Sequence, residues 1–173
     1  INGFISLKYI FYIFNIYDGY LLELNNIPHL YDDWRKTYGV IFDLPFAVYE
    51  TFYKPSLEEI FVLRHYINFC IFFISTIYFY KLIKSIFRDK ILAALSVLIL
   101  ISTPRIFSHS FYNSKDILFL SLIIIAVYYS VNFLKKQKIK HLILSSIFCA
   151  LATNVRVLAI YLPLLIMLFY FFL

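Results

Sequence analysis

The chain has 173 residues, of which 62% are hydrophobic, 21% aromatic and only 15% charged, with a formal net charge of +6. Mean hydropathy is +0.81, whereas soluble domains run at roughly 45–50% apolar. That composition excludes a soluble domain, and its wealth of aromatic and β-branched residues excludes a disordered chain.

At roughly 20 residues per span there is room for about five helical spans plus loops. Residues 5–16 are apolar but carry Lys8 and Asn15, and residues 40–53 carry Asp43, Pro45 and Glu50 with the apolar residues on one face. Both read as helices lying in the membrane interface, with Tyr and Phe at headgroup level. A polar loop, 25–39, separates them. Residues 1–59 thus form an external loop with two interfacial amphipathic helices. Residues 60–173 form a transmembrane bundle of about five spans: 60–83, 91–107, 117–134, 141–155 and 157–173. The fold class is all-α, a polytopic membrane helical bundle. The second and fourth spans are short, which leaves the polar residues between them below the membrane surface, facing protein.

Charge orients the bundle. Eight of the ten acids lie before residue 60, and eight of the sixteen bases sit in two short loops. Lys81, Lys84, Arg88 and Lys90 form one, and Lys135, Lys136, Lys138 and Lys140 the other. Two apolar stretches, 91–102 and 117–134, separate these loops, so both lie on one side. The positive-inside rule makes that side the cytoplasm. The net positive charge comes from these membrane-flanking bases, not from a soluble basic face, so nucleic acid is not an expected partner. Cys70 and Cys149 sit in separate apolar stretches without metal-type spacing and read as inert thiols.

The remaining ionisable residues gather on the opposite, external side. Between two apolar stretches runs a polar island, 104–116, containing Arg105, His109, Asn113, Lys115 and Asp116. Arg64 and His65 lie near the external end of the first span, and Arg156 at the turn between the last two. Asp32, Asp33 and Asp43 reach the same side. Ionisable groups at membrane depth are costly and mark sites or paths. A basic cluster under a membrane surface suits a lipid-linked phosphate, since Arg offers a planar fork and Lys a point charge. A carboxylate nearby suits deprotonation of an acceptor hydroxyl, or the holding of a metal. Blander roles compete: Arg64, His65 and Arg105 also suit snorkelling to headgroups, Asp116 a helix-dipole acid, and Asn113 or Ser114 its cap. His109 alone also suits a structural hydrogen bond. With Gly only 3 in the chain, a glycine-rich phosphate cradle is impossible.

Four blocks carry a family resemblance: YGVIFDL at 38–44, LRHYIN at 63–68, STPRIFSHSFYNSKDI at 102–117 and TNVRV at 153–157. Together they resemble bacterial multi-pass glycosyltransferases of the GT-C superfamily, related to protein O-mannosyltransferases and the lipid A aminoarabinose transferase. In relatives the blocks read approximately YGxxFD, FRHxxN, SPRxFGHSxxNPKD and NxRVxG. Ser108 and Ser114 stand where relatives carry Gly and Pro. The resemblance spans about residues 30–160, and the third block is the specific one.

It implies a GT-C-type bundle that moves a sugar from a polyprenyl-phosphate donor to a lipid, glycan or protein acceptor. The implied setting is the bacterial inner membrane, with the site on the external, periplasmic face. Arg64, His65, Arg105, His109, Lys115 and Arg156 would bind or orient the donor phosphate. Asp116 would be the second-loop acid, a candidate ligand for a divalent metal; no other cofactor is implied. The family's catalytic Asp-Glu pair follows its first span, and no such pair occurs before Tyr31. The expectation is that the first span and catalytic acid lie upstream of Ile1, with Asp32 and Asp33 as weaker substitutes, and that this fragment is inactive alone. The competing function is a multi-pass transporter or flippase with an intramembrane charged path. A transporter would carry charges near mid-bilayer; the one-sided charges here favour the enzyme.

Overall fold

The computed structural model describes residues 41–172. Asp32 and Asp33, and the helix expected over 5–16, lie outside them. Among the described residues every element is helical and there is no strand. Helix α1 is Asp43–Tyr53. Helix α2, Leu57–Phe87, opens on a reciprocal cap: the Ser56 hydroxyl accepts from the Glu59 amide at 3.2 Å, and the Glu59 carboxylate accepts from the Ser56 amide at 2.9 Å. Its 31 residues reach about 46 Å at 1.5 Å each, more than a hydrocarbon core of ~30 Å.

Helix α3, Lys90–Ser102, is capped by the Asp89 carboxylate, which accepts from the Ile91 amide at 2.7 Å and the Leu92 amide at 3.3 Å. It ends because Pro104 bars Thr103 from the helical region; Thr103 sits at φ −69°, ψ 110°. Pro104 then opens α4, Pro104–Tyr112, at a position where its missing N–H costs nothing. The path bends by 67° between the two helices. The apolar stretch 91–107 is therefore two helices, broken where the proline demands it.

Helix α5 is Ser114–Lys136 and α6 is Ile139–Val155. A 3-10 turn, Val157–Ile160, leads into α7, Tyr161–Phe172. Helices α2 and α5 are long and apolar enough to cross a bilayer, and the bent α3–α4 pair makes a third if taken as one span. The α6 helix and the 157–172 segment are shorter apolar helices. The protein is a helical membrane bundle.

Helix α5 is its centre, packed between α2 and α6. Apolar burial alone does not hold helices together in lipid; close packing at small residues and polar contacts between helices do. Ser121, Ala126 and Ala152 are completely buried, letting α5 and α6 approach. The Ser130 hydroxyl gives its one proton to the Ala126 carbonyl, so at 2.7 Å it accepts from Ser145 on α6. The Tyr78 and Tyr129 hydroxyls meet at 3.2 Å between α2 and α5.

Long-range polar contacts set the directions of the helices. Lys135 Nζ donates to the Ser85 carbonyl, joining the lysine-rich ends of α5 and α2. Asn68 on α2 reaches Ser110 on α4, and Arg156 after α6 reaches Asp116 on α5. One end of the bundle therefore holds the two lysine-rich turns. The other gathers α1, the start of α2, α4, the start of α5 and the end of α6.

Candidate functional site

The break between α4 and α5 builds the densest polar network at that second end. Asn113 is the last-turn cap of α4 and the first-turn cap of α5. Its amide N–H donates to the His109 carbonyl at 2.9 Å, and its carbonyl accepts from the Ile117 amide at 3.1 Å. Its side-chain Oδ1 accepts from the Asp116 amide at 3.1 Å, and Nδ2 donates to Asp116 Oδ2 at 3.0 Å. Those two bonds fix which way the side-chain amide faces. Nδ2 also lies 2.9 Å from His109 Nδ1. Because Nδ2 can only donate, Nδ1 accepts, and the imidazole is neutral with its proton on Nε2. His109 thus presents an Nε2–H donor outward from the network.

Arg156 completes the group. It ends α6 in an extended conformation, φ −145°, ψ 126°, with its amide bonded to the Ala152 carbonyl at 2.9 Å. Its Nη2 donates to Asp116 Oδ1, and its guanidinium lies 5.6 Å from the centre of the Phe119 ring. Both Asp116 oxygens are therefore engaged, one by Arg156 and one by Asn113. The two side chains remain 37% and 44% exposed, so a ligand can reach them. A carboxylate held this way orients a cation; it is poorly placed to accept a proton. Among the described residues no group of three His, Cys, Asp or Glu side chains is placed to hold a metal ion.

Arg64 belongs to a separate group. It donates to Asp43 Oδ1 at 3.0 Å, lies 3.6 Å from Glu50 and sits 5.0 Å from the centre of the Phe46 ring. Asp43 and Glu50 are seven residues, two turns, apart on α1, so Arg64 latches α1 onto α2. Among the described residues its buried Nε has no acceptor. Beneath α1 lies a cavity of about 380 Å³ walled by Phe42, Phe46, Leu63, Ile67, Leu118 and Leu151, among others. The Arg64 guanidinium stands over one wall of this apolar space.

The other expected residues are placed differently. His65 turns back along its own helix, with Nδ1 donating to the Phe61 carbonyl at 2.6 Å and its ring 4.0 Å from Phe61. Arg105 is exposed on α4 and joins neither ion-pair group among the described residues. Lys115 is half-buried beside Asp116 in the first turn of α5. The structure thus joins His109, Asp116 and Arg156 in one network and places Arg64 in another. Sequence reasoning did not assign Glu50 as the second partner of Arg64, or Asn113 as more than a cap. The available signal was spacing: 43 and 50 share a helix face, and 109, 113 and 116 sit three and four apart.

A family profile described as dolichyl-phosphate-mannose-protein mannosyltransferase matches residues 61–173, more than half of the chain. The chain belongs to that family. No curated protein and no solved structure matches it. The mannosyltransferase match takes in α2 from Phe61 onward and every later element, and with them Arg64, His65, Arg105, His109, Lys115, Asp116 and Arg156. Asp43 and Glu50 lie before it. The chain is thus a GT-C mannosyltransferase-like integral membrane protein.

Proposed function

We propose that this membrane glycosyltransferase moves a sugar from a polyprenyl-phosphate donor to a lipid, glycan or protein acceptor, and that the α4–α5 junction handles the donor phosphate. The observation that carries this reading is the joined set Arg156, Asp116, Asn113 and His109 at one end of the bundle, with an apolar cavity close by on the same core. In the reaction the acceptor oxygen attacks the anomeric carbon. The bond from that carbon to the phosphate oxygen breaks, and the acceptor proton passes to a base. The leaving phosphate gains charge, which is where fixed donors lower the barrier most. Arg156 supplies a guanidinium held in place by Asp116, His109 an Nε2–H, and Lys115 and Arg105 further positive charge. Partial shielding from water strengthens each contact.

Asp116 acts here through Arg156, so the base lies elsewhere. The family resemblance assigns the base to an acidic pair, for which Asp32 and Asp33 are the candidates within this chain. The five apolar stretches are spans. The lysine-rich turns face the cytoplasm, and the site faces outward across the bacterial inner membrane.

The test uses the full-length protein in native membranes with a radiolabelled polyprenyl-phosphate sugar. Arg105→Ala, Lys115→Ala and Asp116→Ala should each abolish transfer while leaving the amount of folded protein unchanged. Retained transfer would show the junction to be structural.

A further inference from the structure

Asn68 is 1% exposed, deep on α2, and its Nδ2 donates to the Ser110 carbonyl at 2.8 Å across a sequence separation of 42 residues. Ser110 is itself completely buried. Its carbonyl is one of the last four of α4, which have no amide of their own helix to accept from. A carbonyl buried away from water must find a partner or the helix end is strained, and Asn68 supplies it from another helix. One residue further along, the Phe69 and Phe111 rings stack at 4.9 Å and 7°. Together these two contacts dock the last turn of α4 against α2 immediately before Asn113.

The same side chain is a poor choice for stability alone. Its Oδ1 is buried and has no donor among the described residues. Leaving Oδ1 bare offsets part of what the bond to the Ser110 carbonyl contributes to folding. Its use is therefore in where it holds Ser110.

We propose that Asn68 is a positioning residue for the transfer site: it caps α4 from α2, and so fixes the α4–α5 break from which Asn113 holds His109 and Asp116. The proposal rests on the transferase reading for its kinetic consequence but not for its structural one. Buried as it is, Asn68 acts on the site through Ser110 rather than on a ligand directly. Without its bond the final turn of α4 is free to wind on toward α5, which turns Asn113 away from His109 and releases the imidazole proton from Nε2.

The experiment uses full-length protein in lipid bilayers. Histidine is labelled with nitrogen-15, and His109 is assigned with His109→Gln. Wild type should show His109 as a single Nε2–H tautomer. Asn68→Leu, close in size and without a donor, should give a mixture of tautomers. Its kcat for transfer should fall on the order of a hundredfold, the effect of a displacement of about 1 Å, with KM little changed. Combined with Asn113→Ala, the loss should be no greater than that of Asn113→Ala alone, because both act through one network. Should the leucine variant not fold, Asn68→Ala reads the same resonance without crowding the site. A folded variant with an unchanged His109 signature overturns the proposal, as does independent multiplication of the two losses. If wild type transfers no sugar, the transferase reading fails and the tautomer measurement still decides the role of Asn68.

Discussion

Asn113 shows how much one side chain contributes at this site. Every polar group it owns has a partner, and its amide ties an imidazole to a carboxylate. Asn113→Asp would put a second carboxylate about where Nδ2 now lies, 3.0 Å from Asp116 Oδ2, and remove the donor to His109. The expected result is a loss of transfer of at least roughly tenfold, since like charges at that distance repel and the donor to His109 is gone; a kinetic assay on folded full-length protein checks it. Arg64 makes a different case. Its side chain is 22% exposed and that of Asp43 16%, and charge-assisted bonds of this kind contribute about 2 kcal/mol. Arg64→Leu should therefore loosen α1 and raise its protease sensitivity, while α2–α6 stay folded. Protection of α1 equal to wild type would show that the latch is unimportant. His109, Asp116 and Arg156 were legible as candidates because ionisable residues are rare in so apolar a chain. That His65 folds back on Phe61 was not, because its rotamer depends on its own turn of helix and on what packs beside it.

Among the elements, local chemistry explains most boundaries. Ser56 and Glu59 start α2, Asp89 starts α3, Pro104 ends it, and Asn113 divides α4 from α5. Helix ends are more unusual at the other extreme: Lys54, Arg88 and Gln137 close their helices with φ of 45°, 59° and 50°. Glycine is the ordinary residue there, and a chain with only 3 glycines accepts side chains in a costly conformation instead. Gln137→Gly should stabilise the α5–α6 turn by about 1 kcal/mol, the lower end of the left-handed penalty. Ser56→Ala should destabilise α2 by about 1 kcal/mol. Equilibrium unfolding in detergent would read both, and opposite signs are expected. The 67° bend at Thr103 follows from Pro104, whereas the sequence pattern alone placed 91–107 in a single span without a bend. Hydropathy averages over a window and does not register a single proline.

At the scale of the whole molecule, the polar contacts between helices sort the charges to two ends. If the lysine-rich end faces the cytoplasm, a cysteine introduced by Gln137→Cys should resist an impermeant maleimide added to intact cells. One introduced by Lys54→Cys should react, with Cys70→Ala and Cys149→Ala as background. The reverse pattern would invert the proposed orientation. Composition, hydropathy and basic turns by themselves determined a helical membrane protein with its charges sorted, because those properties depend on each residue's own preference for water or lipid. Caps and breaks were equally local, set by neighbours three or four positions away. Only the tertiary structure decided that Arg156 meets Asp116 across 40 positions, that Arg64 is claimed by Asp43 and Glu50, and that Asn68 holds Ser110. Those pairings depend on how each helix is rotated about its axis and how closely small residues let it approach its neighbour. That is a property of the packed bundle, which no single stretch of the chain carries.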